Sequence, residues 1–254
     1  MFTKILTSIL LSLLFTSVSY AKTTAWNSPE GLKKLEQSQF KNDFYQLVNF
    51  YQPQENPLFC GMASATIILN AFDHGNIASQ EEGEIKKPNA DGVVSYPLYK
   101  QQSFFNSKTE KVKKRAIIEY REQNERYGKK FYDPGVSLDD YAALLKEGHD
   151  LKIFVHHAKK LNQKSIDKFR EILKQVLNDD EKFIIANFDG KIMGRKTNGH
   201  ISPLVAYEAE SDSVLILDVA LHKNKWYWVS LENLYQAMHT QDGDVYRGYL
   251  VAKR

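Results

Sequence analysis

From Gly61 to Phe72 the chain carries no charge and no proline, and small or apolar residues occupy almost every side of a helical projection. That pattern predicts a helix buried nearly all round. Ahead of it, a polar lead-in contains a short helical stretch around Gly31–Gln37. Behind it, Ile77–Gln102 is polar and punctuated by Gly and Pro, the composition of surface loops. Lys111–Glu122 is basic and helical in period. Ser137 stands as an N-cap before the helix Leu138–Glu147, with Gly148 as its expected stop. Leu151–Val155 is a short strand candidate, and Ile166, Phe169, Ile172, Leu173, Val176 and Leu177 mark one face of a further helix.

The C-terminal third changes period. Phe183–Asn187, Ile201–Tyr207, Ser213–Val219, Trp226–Val229 and Gly248–Val251 are short β-branched or aromatic runs separated by polar turns. Strands this close in sequence favour antiparallel pairing. Helices first and strands later predict an α+β fold with two lobes.

The first 26 residues stand outside this pattern. Lys4 precedes an apolar stretch, Ile5–Val18, diluted by Ser and Thr, and Ser19-Tyr20-Ala21 places small residues at −3 and −1 of a cleavage site. Residues 1–21 read as a secretory leader and 22–254 as one domain, exported to the periplasm of a Gram-negative bacterium. No second apolar stretch is long enough to span a bilayer, so no membrane contact is expected after cleavage. The formal charge of +3 falls to +2 with Lys4 and is evenly spread, which argues against nucleic acid as a partner.

The chain has one cysteine, Cys60, so no disulfide can form within it. A lone thiol in an oxidising compartment is a liability unless it is buried or used. Cys60 opens the buried helix, where free N–H groups favour a thiolate. An inert buried thiol is the alternative. A base is available in His200, which follows a glycine and opens an apolar strand. Asp218 ends the run SVLILDV, where a carboxylate needs a partner, and an imidazole on the adjacent strand satisfies it. Each alone has a structural reading; together, Cys then His then Asp on helix and strands is a papain-like arrangement. Gln54, six residues before Cys60, is either a loop glutamine or one half of an oxyanion hole with the Cys60 N–H. His156 and His157 are adjacent on a strand and point to opposite faces, which works against chelation. His74, His222 and His239 have no evident partners, and no metal site is expected.

Three segments carry a family resemblance: QENPLFCGMASATIILNAF, GHISPLVAYEAESDSVLILDVA and WYWVSLENLYQAMHTQDGDVYRGYLV, supported by KQQSFFN and VSLDDYAALL. Together they resemble the phytochelatin synthases, in particular the short bacterial form, from about Phe44 to Lys253. The resemblance implies a papain-like fold in which a helical lobe carries Cys60 and an antiparallel sheet lobe carries His200 and Asp218. It implies an acyltransferase acting on glutathione, γ-Glu-Cys-Gly, through a γ-glutamylcysteinyl thioester on Cys60. His200 is then the general base and acid, Asp218 its orienter, and Gln54 the oxyanion donor. Asp242 and Arg247 match residues at the γ-glutamyl site, and Asn187 a substrate-lining asparagine. Gly199 and Ile201, which flank His200, are assigned with them to substrate binding.

No cofactor is implied; cadmium or zinc enters as a glutathione thiolate complex rather than at a protein site. Glutathione is the expected partner, with a homodimer left open. Two positions depart from the family's pattern: Leu221 and Gly190 stand where it often has basic residues, with Arg195 the nearest replacement for the second. With the cysteine-rich C-terminal region of the eukaryotic members also absent, hydrolysis is favoured over transfer to a second glutathione. An exported papain-like peptidase for other peptides, and a non-enzymatic thiol binder, are the competing readings.

Overall fold

A computed structural model describes residues 23–74, 98–119 and 135–254. The leader expected over 1–21 and most of the loop predicted over 77–102 lie outside those residues. The described chain opens with a short strand β1 (Thr24–Ala25), followed by helices α1 (Pro29–Gln37), α2 (Asn42–Val48) and α3 (Cys60–His74). Two short helical turns, α4 (Thr109–Val112) and α5 (Arg115–Glu119), precede α6 (Leu138–His149), strand β2 (Lys152–His157) and helix α7 (Gln163–Val176). Strands β3 (Lys182–Asp189), β4 (Gly199–Glu208), β5 (Ser213–Ile216) and β6 (Tyr227–Ser230) lead into helix α8 (Leu231–Met238). A hairpin of β7 (Gln241–Asp242) and β8 (Val245–Tyr246) comes next, and β9 (Gly248–Lys253) ends the chain.

Seven strands form one sheet in the order β1-β6-β5-β4-β3-β9-β2, and every pairing is antiparallel. The architecture is therefore α+β. Both faces of the sheet are covered. On β3, Phe183 and Ile185 point into a core shared with α3 and α6, while Ile184, Ala186 and Phe188 point into a second core beneath α7 and α8. The alternation is the period-2 geometry of a strand buried on both sides. Each such side chain stabilises the fold by about 1.5–3 kcal/mol. No helix among the described residues is long and apolar enough to cross a membrane.

Helix α3 lies directly against β4. Met62, Ala63, Ala65, Ile67, Ile68 and Leu69 have no exposed surface, and the Ser64 hydroxyl donates to the Ile201 carbonyl at 3.1 Å. The uncharged run thus faces protein on nearly every side, as its pattern requires.

Several expectations need correction. Thr24 and Ala25 pair with Trp228 and Tyr227, and the Trp26 ring packs at a tilt against Trp226 with centroids 5.0 Å apart, so residues 24–26 belong to the fold. The helix expected over Lys111–Glu122 breaks at Lys113, whose backbone is extended and whose ammonium is drawn inward to Asp140 at 2.8 Å; its continuation past Glu119 lies outside the described residues. Gly148 does not stop α6. The helix runs to His149 and is capped by Asp150 in the left-handed region, φ 56°. Gly148 is small for another reason: a Cβ there would meet the Thr109 methyl at 2.3 Å. Helices α2 and α8 carry no expectation from the sequence pattern, because each is short and set among polar or β-like runs.

Candidate active site

The functional residues gather at the end of the sheet where β4 begins and β3 and β5 finish. Cys60 is the first residue of α3, so its N–H has no acceptor within the helix. The approach to it is fixed from two sides. Gln54 N donates to the Val219 carbonyl at 2.9 Å, and the buried Gln101 side chain bridges the Pro53 carbonyl and the Glu55 N–H, both at 2.9 Å. Gly61 leaves room for the wall behind: a Cβ there would lie 3.2 Å from Val136 and 3.3 Å from the Tyr141 ring.

His200 pairs across the β3–β4 ladder with Phe188, and the two rings meet edge-on at 5.5 Å. Its Nε2 donates to Asp218 Oδ1 at 2.8 Å, both side chains being almost fully buried. The other ring nitrogen is left for the Cys60 sulfur, and the two groups shift each other's proton affinity. Asp218 lies two residues beyond β5, past a register shift in the β4–β5 pairing. Its Oδ1 also accepts from Ala220 N at 2.8 Å and its Oδ2 from Asn224 Nδ2 at 3.1 Å, while its carbonyl accepts from the Tyr51 hydroxyl. Ser202 Oγ stands 3.1 Å from His200 Nε2.

Electrostatics at the centre favour an ion pair. Burial pushes the Cys60 thiol up, but the His200 hydrogen bond and charge, with the N–H groups of Ile201 and Gly61, outweigh it, so the thiol is held below its ordinary range. Burial alone lowers an imidazole's affinity for its proton, yet the Asp218 carboxylate and the Cys60 sulfur reverse that and push His200 up to about 10. Burial and the nearby Cys60 charge hold the Tyr141 phenol well above its usual value, so it stays protonated. A thiolate beside an imidazolium is the arrangement required for nucleophilic attack at neutral pH.

The pair opens on a cleft of about 470 Å³. Asn187, Gly199, Ile201, Asp242 and Arg247 all line it, as do Gln54 and Ala220. Arg247 Nη2 lies 3.2 Å from Asp242 Oδ1, and Arg247 crosses so close to β4 that a Cβ on Gly199 would meet its guanidinium at 2.8 Å. Gln54 Oε1, Asn187 Nδ2, Thr197 Oγ1 and Arg247 Nε are buried without a hydrogen-bond partner. All four residues line the cleft, and orphaned polar atoms there suit a polar ligand.

Every candidate from the sequence therefore reaches this cleft or its support, with differences in detail. The Gln54 amide donates to the Asn56 carbonyl at 2.9 Å rather than standing free in the cleft. Arg195 does not fill the place of a basic residue at Gly190. Its guanidinium sits over the Tyr227 ring at 4.3 Å and donates to Thr23 Oγ1 at 3.0 Å. Gly190 itself is closed off, since a Cβ there would meet Thr197 Oγ1 at 2.1 Å. Leu221 is exposed. His157 bridges the Tyr246 carbonyl and Asp139, while His156 stacks on Tyr249 at 4.8 Å. Among the described residues no group of three or more His, Cys, Asp or Glu is placed to hold a metal ion.

Sequence reasoning missed Ser202, Asn224 and Tyr51 around the His–Asp pair, and Lys196, Thr197 and Lys223 in the cleft. Ser202 had a signal, for residues two apart on a strand share a face. The others depend on turns whose shape the pattern does not report.

Comparison with known proteins places this geometry. The chain is 27% identical over 234 residues to glutathione gamma-glutamylcysteinyltransferase 3 of Lotus japonicus, covering 89% of this chain and 41% of that protein. It is 28% identical over 214 residues to glutathione gamma-glutamylcysteinyltransferase 2 of Arabidopsis thaliana, covering 83% and 40%. With the Schizosaccharomyces pombe glutathione gamma-glutamylcysteinyltransferase it shares 25% over 211 residues, covering 83% and 42%. The chain thus spans about two fifths of the length of these relatives. A family model described as phytochelatin synthase matches residues 16–249, nearly the whole sequence, and the chain belongs to that family.

Proposed function

We propose that this chain is a thiol acyltransferase and hydrolase that cleaves the Cys-Gly bond of glutathione. The observation that carries the reading is a cleft lined by Cys60, by His200, which is hydrogen-bonded to Asp218, and by the Asp242–Arg247 pair. An aspartate for an α-ammonium beside an arginine for an α-carboxylate is the charge pattern that a γ-glutamyl end requires.

The Cys60 thiolate attacks the cysteinyl carbonyl carbon, forming a C–S bond. The Cys60 N–H and a Gln54 amide N–H stabilise the oxyanion; the amide has two hydrogens, of which Asn56 takes one. As the C–N bond breaks, His200 gives its proton to the departing glycine nitrogen. The thioester is then attacked by water, or by the amine of another glutathione, with His200 taking the proton and Cys60 leaving as thiolate. Asp218 holds the ring and its charge throughout.

The arrangement is papain-like in our reading, with the helical part of the chain presenting the thiol and the sheet presenting the imidazole and carboxylate. Water is the favoured acceptor, since Leu221 and Gly190 leave two commonly basic positions uncharged. The leader over residues 1–21 directs the protein to the periplasm, and cadmium or zinc acts through glutathione thiolates. Incubation with glutathione, with and without Cd²⁺, followed by mass spectrometry of glycine and peptide products, tests the proposal. Glycine release abolished in Cys60→Ser is expected; no release by the wild type overturns it.

A further inference from the structure

The hairpin that carries Asp242 is held at its base by two imidazoles. His239, just past α8, stacks on the Tyr246 ring with centroids 4.8 Å and planes 13° apart, and its Nδ1–H donates to the Ala158 carbonyl at 2.6 Å. His157, the last residue of β2, pairs in the ladder with Gly248, and a Cβ on Gly248 would lie 2.9 Å from the His157 Cα. Its Nδ1 lies 2.5 Å from the Tyr246 carbonyl oxygen, and its Nε2 lies 3.0 Å from Asp139 Oδ1. Asp139 stands in the first turn of α6, three residues after Val136, which lines the cleft together with Gly135. Asp242 and Arg247 line the same cleft. One ring therefore ties the helix that follows Gly135 and Val136 to the hairpin that presents Asp242 and Arg247.

Both neighbours of that ring are acceptors, a carbonyl and a carboxylate. A neutral imidazole has one N–H and one bare lone pair, so it satisfies one neighbour and repels the other. Only the imidazolium, with an N–H on each nitrogen, meets both. The carbonyl is fixed in the hairpin backbone, whereas the Asp139 side chain is about half exposed, so loss of the proton frees the Asp139 end. The other charges nearby are engaged elsewhere. On α6, Asp140 pairs with Lys113; on the hairpin, Arg247 pairs with Asp242, and Asp244 stands at the exposed tip. On β2, His156 points to the opposite face, where it stacks on Tyr249 within the field of Lys168. His239 lies on the Tyr246 ring, not at its carbonyl. Among the described residues Asp139 is the one ion-pair partner of His157.

We propose that His157 is a positioning residue whose protonation clasps the hairpin to α6, so that the cleft binds substrate more tightly with the ring charged than neutral. The inference rests on the glutathione reading above, which sets the γ-glutamyl end against Asp242 and Arg247, and adds a proton-dependent control of that end. Cys60 and His200 come from α3 and β4 rather than from the clasped segments, so the effect falls on KM and leaves kcat nearly unchanged. With the ring charged, KM is low; as pH rises and the ring loses its proton, the Asp139 end opens and KM rises. Asp139→Asn removes this dependence without removing the contact. An asparagine amide accepts from a charged ring through its oxygen and donates to a neutral ring through its nitrogen.

The test measures KM for glutathione against pH in the wild type and in Asp139→Asn, with the His157 ring titration followed by NMR in each. The ratio of wild-type to variant KM cancels the ionisation of the substrate and of the Cys60–His200 pair. It is expected to rise by about threefold, the size of one half-exposed ion pair, over the pH interval in which the wild-type His157 ring titrates. The ratio of kcat values should stay constant. The amide signals of Asp242 and Val245 should move with the His157 titration in the wild type and not in the variant. A flat KM ratio while His157 titrates, or hairpin amides that ignore that titration in the wild type, overturns the clasp and leaves the glutathione reading standing. Absence of glycine release by the wild type overturns the glutathione reading instead, and the amide signals then still decide for or against the clasp.

Discussion

Asp218 holds His200 by a 2.8 Å contact between Oδ1 and Nε2, and the same carboxylate accepts from Ala220 N at Oδ1 and from Asn224 Nδ2 at Oδ2. Fixed donors on Ala220 and Asn224 leave the carboxylate one orientation, so the ring has one as well. Orientation and charge are thus delivered by the same group.

The pH dependence follows from that contact. Cys60 is held low and His200 is pushed up to about 10, so the thiolate–imidazolium pair exists between the two titrations. Activity is expected to fall on the acid side as Cys60 takes a proton, and on the alkaline side near pH 10 as His200 loses one. Removing the charge with Asp218→Asn lowers the imidazole's proton affinity and releases the thiol toward its ordinary range. Rates of Cys60 alkylation by iodoacetamide against pH should shift to higher pH, and kcat/KM should fall by about a hundredfold or more. An alkylation profile identical to wild type would refute the ion pair.

Asn224 acts through Asp218 and is a positioning residue. Asn224→Ala leaves one buried carboxylate lone pair unmet, at a cost of about 1–3 kcal/mol. The expected result is a fall of about tenfold in kcat with KM little changed, accompanied by a smaller alkylation shift than in Asp218→Asn. The alkylation profile separates this from general loss of fold, which lowers the apparent kcat through the active fraction without shifting the pH at which the folded Cys60 reacts.

Arg247 distinguishes the proposed substrate from other peptides. A charge-assisted contact to the γ-glutamyl carboxylate is worth about 1.5–3 kcal/mol, so Arg247→Met should raise KM for glutathione by tenfold or more while Cys60 alkylation is retained. Kinetics unaffected by this change would favour a peptidase with a different substrate.

Gly190 tests whether a missing basic residue can simply be restored. A Cβ there would sit 2.1 Å from Thr197 Oγ1 and 2.7 Å from its carbonyl oxygen, and backbone cannot yield as a side-chain tip can. Gly190→Ala should cost about 1–3 kcal/mol, which lowers Tm by about 2–4 °C per kcal/mol in a chain of this size. Gly190→Arg should be no more stable and should not gain transfer activity. A variant that melts with the wild type would show that the hairpin relaxes freely.

What could be read beforehand depended on how locally each feature is encoded. The α3 helix was legible because twelve consecutive residues lack charge and proline, a condition met by little except a buried helix. His200 and Asp218 were legible because a polar group at the end of an apolar strand demands a partner. Gly148 misled because a glycine at a helix end has two meanings, cap or close contact, and only Thr109, 39 positions earlier, decides between them. Asn224 gave no signal, since its importance comes from a turn wrapped around Asp218 rather than from any period in its own segment. Trp26 stands outside the sequence pattern because its partner, the tilted ring of Trp226, is 200 positions away.

The last strand of the chain, β9, does not lie at an edge but between β3 and β2. Until those final residues are in place, β2 has no neighbour, the Asp242–Arg247 hairpin has no anchor and β3 lacks one of its two partners. Non-local pairing of this kind forms late. Cys60 therefore behaves as an ordinary, sluggish thiol while the chain is open, and acquires its reactivity only when β9 has been threaded into the sheet. Completion of the fold is itself the activation step.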